Sequence, residues 1–156
     1  LIPLAYILTI ISLYVDNFNL GIFSLLLVFL ISLSYYAKPE EEFFVWIHKS
    51  QAPNFLWNKL KIAVKHVFIL NIPVLFALLG FYPKDFILIL IFYAIGQVLL
   101  WMIILAKYAA YPNEMNLMEG ILIALGLSLP PLMLLIMPYF YLKSIKKLNV
   151  LLHDQN

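Results

Sequence analysis

Five apolar stretches separated by shorter polar ones dominate the pattern along the chain. About 20 apolar residues in helical form cross the roughly 30 Å of a bilayer's hydrocarbon. Backbone groups in hydrocarbon must hydrogen-bond internally, so each stretch is predicted to be a helix or part of one. The pattern therefore predicts an all-α, polytopic integral membrane protein forming a single transmembrane domain over residues 1–156. The apolar stretches are residues 2–15, 21–37, 62–81, 86–106 and 117–142.

The first four stretches are predicted to pair as neighbours along the chain. A polar turn at residues 16–19 joins the first two into a helical hairpin over 1–37. Residues 62–106 form a second antiparallel pair with a turn near Pro83. The third helix is expected to start at Phe55 with Asn54 as its N-cap, and Pro73 is expected to kink it.

Residues 38–61, between these pairs, begin with the charged and aromatic run KPEEEFFVWIHKSQ. Pro39 suits the first position of a helix, and acidic residues after it with basic residues ten positions later would complement a helix dipole. We expect a cytoplasmic amphipathic helix here, with its aromatic rings at headgroup depth. It is either a surface anchor only or a docking segment for a cytoplasmic partner. The candidate partner-coupling residues are Glu40, Glu41, Glu42, Phe43, Trp46 and Lys49.

The fifth stretch is predicted to be broken at Pro130-Pro131, because neither residue supplies an amide proton and the second disfavours helical geometry at the first. Lysines mark cytoplasmic loops, and both 38–65 and the tail 143–156 are rich in lysine. Three full crossings after residue 65 would nevertheless put the tail outside. A re-entrant 117–142 segment removes this conflict, and a kinked full span with an external tail is the alternative.

Polar side chains near or inside the apolar stretches are the candidate sites. Asn116 and Glu119 match a capping box at the start of the fifth stretch. We expect the interfacial carboxylates Glu114 and Glu119 to have capping roles, with a proton relay or cation site as the alternative.

Inside the apolar stretches, Asn71, Gln97 and Ser128 must find partners across helices or line a path. Gly120, Ala124 and Ser128 form a stripe of small residues, for which close helix packing is the favoured interpretation.

Composition narrows the function classes. The chain is 65% hydrophobic and 12% charged, with a net charge of +2, so it lacks a basic face for nucleic acid. It has no cysteine, and its histidines match no metal-binding motif. No nucleophile or phosphate-loop motif occurs, so we expect neither an enzyme nor a bound cofactor or metal.

A family resemblance adds to this interpretation. A hairpin followed by FFVWIHKSQAPNFLWNKLK and a long span that begins among lysines resembles the permease subunits of type 2 ABC exporters. In that family a coupling helix between the second and third spans docks on an ATPase, and Ser50, Pro53 and Lys59 match its surrounding pattern. The resemblance covers roughly residues 20–106. Such permeases usually have six spans with a re-entrant element before the last, whereas this chain has four apolar stretches and one broken one.

The resemblance implies a membrane component of a transporter, an ABC-type export permease subunit in a bacterial inner membrane. Besides the lipid bilayer, a cytoplasmic ATPase subunit and a second copy of the chain are the candidate partners. The alternative is a non-catalytic structural or assembly subunit of a membrane protein complex. An intramembrane enzyme would need Glu114, Glu119 and a histidine to converge.

Overall fold

The computed structural model describes residues 1–41, 43, 45 and 51–153, and these residues form helices and no strand. Short 3₁₀ turns at Pro83–Asp85 and Pro130–Leu132 precede the fourth and the last helix. The α-helices are α1 (Ile2–Tyr14), α2 (Phe18–Tyr36), α3 (Ala52–Phe81), α4 (Phe86–Ala110), α5 (Leu117–Ser128) and α6 (Met133–His153).

Three of the described helical segments are long and apolar enough to cross a membrane: Phe18–Tyr36, Ala52–Phe81 and Pro83–Ala110. Their outer surfaces are apolar as well, since Phe76 is 76% exposed and Ile87 is 58% exposed. These features indicate an integral membrane protein with transmembrane helices. Helices α1 and α5 are apolar but shorter than a bilayer-crossing helix.

Helix α3 begins earlier than the sequence predicts. The amide of Phe55 already donates to the carbonyl of Gln51 (3.0 Å), so Asn54 lies inside the helix and is not its N-cap. Pro53 is tolerated because amides in the first helical turn have no intrahelical acceptor. The predicted start at Phe55 was therefore wrong.

The described residues divide into two compact units, and the first comprises Leu1–Tyr35 and Ala63–Leu100. In it α1 and α2 meet through a hydrogen bond between the hydroxyls of Thr9 and Ser24 (2.8 Å). The hydroxyls of Tyr6 and Tyr82 donate to the carbonyls of Leu70 (2.9 Å) and Ser12 (3.1 Å) respectively. Its apolar core consists of Ala5, Ile22, Leu25, Val28, Val74, Leu78 and Ile89.

A glycine permits the closest helix contact in this unit. A β-carbon at Gly96 of α4 would lie 2.5 to 2.6 Å from atoms of the Phe29 ring on α2. Contacts this short cannot be accommodated without moving the ring or the helix. The absence of a side chain at position 96 thus allows α2 to pack against α4.

The second unit comprises Tyr36–Ile62 and Trp101–Asn156. The start of α3 meets the end of α4 through an edge-to-face contact of Phe55 with Tyr108, whose ring centroids are 5.4 Å apart. Helix α6 joins α4 through the Ser144 hydroxyl, which donates to the carbonyl of Leu105 (2.7 Å).

Helices α5 and α6 of this unit run antiparallel. The helix is interrupted at the two prolines, where α5 ends at Ser128 and α6 begins at Met133. Near this apex a β-carbon at Gly126 would lie 3.3 Å from Met133, and at the far end Glu119 pairs with Lys143 (2.7 Å). The first part of the 117–142 stretch therefore folds back on the second. Helix α6 continues through residue 142 without interruption, so no break separates this stretch from the tail.

Candidate functional site

A polar cluster of the second unit surrounds Glu40, just after α2. One carboxylate oxygen accepts a hydrogen bond from Lys59 of α3 (2.6 Å). The other accepts from Tyr108 (2.9 Å) and from Lys107 (3.3 Å), both on α4. A single side chain thus links the connection after α2 to the start of α3 and the end of α4. We call Glu40, Lys59, Lys107 and Tyr108 the Glu40 cluster.

The Glu40 cluster is held by charge within largely apolar surroundings. Lys107 is 4% exposed and lies over the Tyr108 ring, 4.7 Å from its centroid, while Lys59 lies over the ring of buried Phe55. Burial alone would raise the pKa of Glu40. The hydrogen bond from Lys59 and the charges of Lys107 and Lys59 outweigh burial and hold this pKa below its usual value. Glu40 is therefore ionised at neutral pH.

The helix predicted after α2 does not begin at Pro39. Pro39, Glu40 and Glu41 lie outside any helix, so the prediction that the glutamates load a first helical turn is wrong for Glu40 and Glu41. The carboxylate of Glu40 turns instead to the lysines of α3 and α4, which a local helix pattern does not reveal. Glu41 is exposed.

Of the other partner-coupling candidates, Phe43 is helical and 58% exposed. Glu42, Trp46 and Lys49 lie outside the described residues. Val45, which was not among the candidates, is helical and 1% exposed.

The sequence analysis singled out neither Lys107 nor Tyr108, and it named Lys59 only as part of the pattern that resembles a permease. A lysine near the end of an apolar helix is normally expected to extend toward water. One signal was available in the sequence. If α3 and α4 are antiparallel, the start of α3 and the end of α4 lie at the same membrane face. The acidic run between α2 and α3 lies at that face as well. Opposite charges there are candidates for ion pairs.

The polar residues predicted inside the apolar stretches bond within their own helices. Asn71 donates to the carbonyl of Val67 (2.9 Å), Gln97 to the hydroxyl of Tyr93 (2.6 Å), and Ser128 to the carbonyl of Ala124 (2.9 Å). These three hydrogen bonds therefore lie within single helices, and not across helices as the sequence predicted. The side-chain oxygens of Asn71 and Gln97 are buried without a hydrogen-bond partner in the described part of the chain.

The interfacial carboxylates differ from each other. Glu114 is exposed, whereas Glu119 is 1% exposed. The predicted capping box is confirmed, because Asn116 accepts from the Glu119 amide and Glu119 accepts from the Asn116 amide (3.2 Å). The second carboxylate oxygen of Glu119 binds Lys143, so this residue also holds α5 against α6.

The small-residue stripe faces outward. Gly120, Ala124 and Ser128 are exposed, and a β-carbon at Gly120 would meet nothing within 4 Å. In the described chain this stripe is not the packing face of α5, which is formed by Glu119 and Gly126.

The comparisons with known proteins identify no relative. No protein-family model, no curated protein and no solved structure matches the chain.

Proposed function

We propose that this chain is a membrane component of a transporter, an ABC-type export permease subunit that works with a cytoplasmic ATPase. Residues 42–50, which follow Glu41, are the docking segment for that ATPase. The complex is located in the inner membrane of a bacterium. Movement of the docking segment relative to the bilayer alters the exposure of a path formed between helices of two copies.

The observation that carries the proposal is the position of the Glu40 cluster. A partner that displaces the docking segment can act on the transmembrane helices only if the two are mechanically connected. Glu40 makes that connection through Lys59 on α3 and through Lys107 and Tyr108 on α4. Each hydrogen bond joins a charged carboxylate to a donor, which is the stronger class of hydrogen bond.

The antiparallel arrangement of α5 and α6 supports a re-entrant 117–142 segment. Helix α5 has 12 residues, and at 1.5 Å per residue it is about 18 Å long, less than the roughly 30 Å of hydrocarbon. Its fold-back brings Glu119 and Lys143 together at one end. A segment that enters and leaves on the same side returns the lysine-rich tail to the face of the lysine-rich 38–65 region.

Copurification tests the docking segment. A tagged chain is purified from its native membranes after mild cross-linking, with and without alanine at Glu42, Phe43, Trp46 and Lys49. We expect an ATPase to copurify with the wild type and to fall by at least tenfold in the variant. The matched control is a chain with alanine at Phe81 and Lys84, which are exposed and lie at the other end of α3.

Equal recovery of the ATPase from all three chains would refute the docking segment. A stable stoichiometric complex that contains no ATPase would instead favour the alternative, a structural or assembly subunit of a membrane complex.

A further inference from the structure

Lys61, on the exposed face of α3, has no counter-charge among the residues that the structure describes. Helices α3 and α4 contain no aspartate or glutamate, yet in the second unit they carry Lys59, Lys61 and Lys107. The carboxylate of Glu40 pairs with Lys59 and with Lys107, and Lys61 takes part in none of the ion pairs of the described residues. This part of the protein therefore retains an unbalanced positive charge.

The length of α3 places Lys61 at the boundary of the hydrocarbon. Helix α3 has 30 residues and is about 45 Å long at 1.5 Å per residue, which exceeds the roughly 30 Å of hydrocarbon by about ten residues. The apolar end of α3 is followed by the turn Pro83–Asp85, which contains a lysine and an aspartate and marks the opposite boundary. Counted from that end, α3 leaves the hydrocarbon close to Lys61.

Two tryptophans lie beside Lys61 at this depth. The Lys61 ammonium lies over the Trp57 ring, 5.3 Å from its centroid. The Trp57 ring meets the Trp101 ring of α4 edge to face, with the centroids 6.0 Å apart. Trp57 is 48% exposed, so the pair offers an aromatic surface to the lipid. Tryptophan is enriched at the level of the headgroups, which agrees with the depth given by the length of α3.

The Lys61 side chain is directed out of the hydrocarbon. Trp57 precedes Lys61 by one turn, so an ammonium over the Trp57 ring has extended toward the N-terminal end of α3. That end lies on the headgroup side of the boundary. Asn58 is exposed and also precedes Lys61 by about one turn, so it offers amide donors on the same face.

An anionic phospholipid supplies what this face lacks. Its phosphate accepts hydrogen bonds from an ammonium and an amide, and its acyl chains can lie against the tryptophan pair. A zwitterionic lipid fits less well, because the cationic group of its own headgroup already neutralises its phosphate. Anionic lipids are concentrated in the cytoplasmic leaflet, where lysines near the surface attract them.

We propose that this face of α3 binds the headgroup of one anionic phospholipid, which serves as the counter-charge of Lys61. The Lys61 ammonium and the Asn58 amide contact its phosphate, and the two tryptophan rings contact the first carbons of its acyl chains. We call Trp57, Asn58, Lys61 and Trp101 the lipid face. The lipid face requires that α3 crosses a membrane, but it requires neither the ATPase nor the re-entrant segment. Its failure would therefore leave the proposed function standing.

Quenching of tryptophan fluorescence by brominated lipid tests the lipid face in vesicles that hold the full chain. The chain has three tryptophans, so Trp46→Phe leaves only Trp57 and Trp101 to report. Phosphatidylglycerol and phosphatidylcholine with identical acyl chains are mixed, and the bromine is carried first by one lipid and then by the other. We expect phosphatidylglycerol to be preferred about fivefold beside the two rings, as one lysine near the headgroups should give.

Three lysine variants in the Trp46→Phe background locate the preference. Lys61→Gln removes the charge from an exposed position and should reduce the preference to less than about twofold. Lys61→Arg keeps the charge and should preserve the preference. Lys38→Gln is the matched control, because Lys38 is an exposed lysine of the same unit that lies over no aromatic ring of the described chain. It should leave the preference unchanged.

Equal quenching by the two lipids before any lysine is replaced would overturn the lipid face, as would an undiminished preference in Lys61→Gln. A loss in Lys38→Gln as large as that in Lys61→Gln would overturn it too, since the response would then be to surface charge in general. Displacement of the lipid by inorganic phosphate would mean that the face binds a free anion instead. If Lys61→Gln lowered the recovery of the ATPase and left the lipid preference intact, the face would belong to the protein partner.

Discussion

At the scale of single residues, Glu40 has the most consequential environment. It is the counter-charge of two lysines, one of them 4% exposed, and it receives a third hydrogen bond from Tyr108. A buried lysine without a counter-charge is costly, so removal of this carboxylate destabilises more than a typical surface substitution. Local helix patterns suggested a surface role for Glu40, because sequence reasoning could not see which distant lysines would face it.

We predict that Glu40→Gln lowers the free energy of unfolding by about 2 kcal/mol at pH 7. This value is typical of hydrogen bonds to charged groups, and the substitution removes the charge. The folded-state pKa of Glu40 is lowered from 4.5, so the unfolded state binds its proton more readily. The stabilising contribution is fully present above about pH 4.5 and is lost as the pH falls through the lower folded value.

Chemical unfolding of the wild type and Glu40→Gln in detergent from pH 3 to pH 7 measures this difference. The gap between the two proteins should be constant near neutrality and shrink in acid. Glu41→Gln is the matched control, because Glu41 is adjacent and exposed, and it should change stability by less than about 0.5 kcal/mol. A gap that stays constant down to pH 3 would contradict the assignment.

At the scale of helices, sequence signals worked where the cause was local. The capping box at Asn116 and Glu119 and the interruption at Pro130-Pro131 depend on residues within a few positions of each other, and both are observed. Contacts over long separations were not predictable. Glu119 pairs with a lysine 24 positions away, and no periodicity indicated which lysine that would be.

Packing between helices gives a prediction at this scale. Gly96→Ala should destabilise the first unit by about 1 to 3 kcal/mol, because the new methyl would overlap the Phe29 ring. Gly80→Ala in α3 is the matched control: a β-carbon there meets nothing within 4 Å, and alanine is the better helix former. Thermal unfolding in detergent should therefore give a lower Tm for the first variant and an equal or higher Tm for the second. A Tm for Gly96→Ala that matches the Gly80→Ala value would contradict the close contact.

At the scale of the whole molecule, composition was enough to predict an integral membrane protein. A 65% hydrophobic chain with three described helices of crossing length is an integral membrane protein, as its apolar pattern indicated. Composition could not give the course of the 117–142 stretch, because a kinked span and a fold-back have the same hydropathy. Only the contacts between its two halves distinguish the two arrangements.

Single-cysteine labelling tests the membrane topology, and the absence of native cysteine makes it direct. Cysteines replace Lys38, Lys84, Glu114 and Val150, all of which are exposed. We expect positions 38, 114 and 150 to react with an impermeant maleimide from the cytoplasmic side and position 84 from the opposite side. Reactivity of position 150 on the same side as position 84 would mean that 117–142 is a kinked full span. Labelling of right-side-out and inverted vesicles provides the control for membrane integrity.

The fold-back between α5 and α6 affects how crossings should be counted from a sequence. An algorithm that scores residues 117–142 as one continuous apolar window assigns it one crossing and reverses the side of everything that follows. When two adjacent prolines lie in the middle of such a window, its hydropathy is equally compatible with a segment that enters and leaves the membrane on the same side. In this chain the ion pair between Glu119 and Lys143, which lie at nearly equal distances from the prolines, reports the fold-back that total hydrophobicity does not.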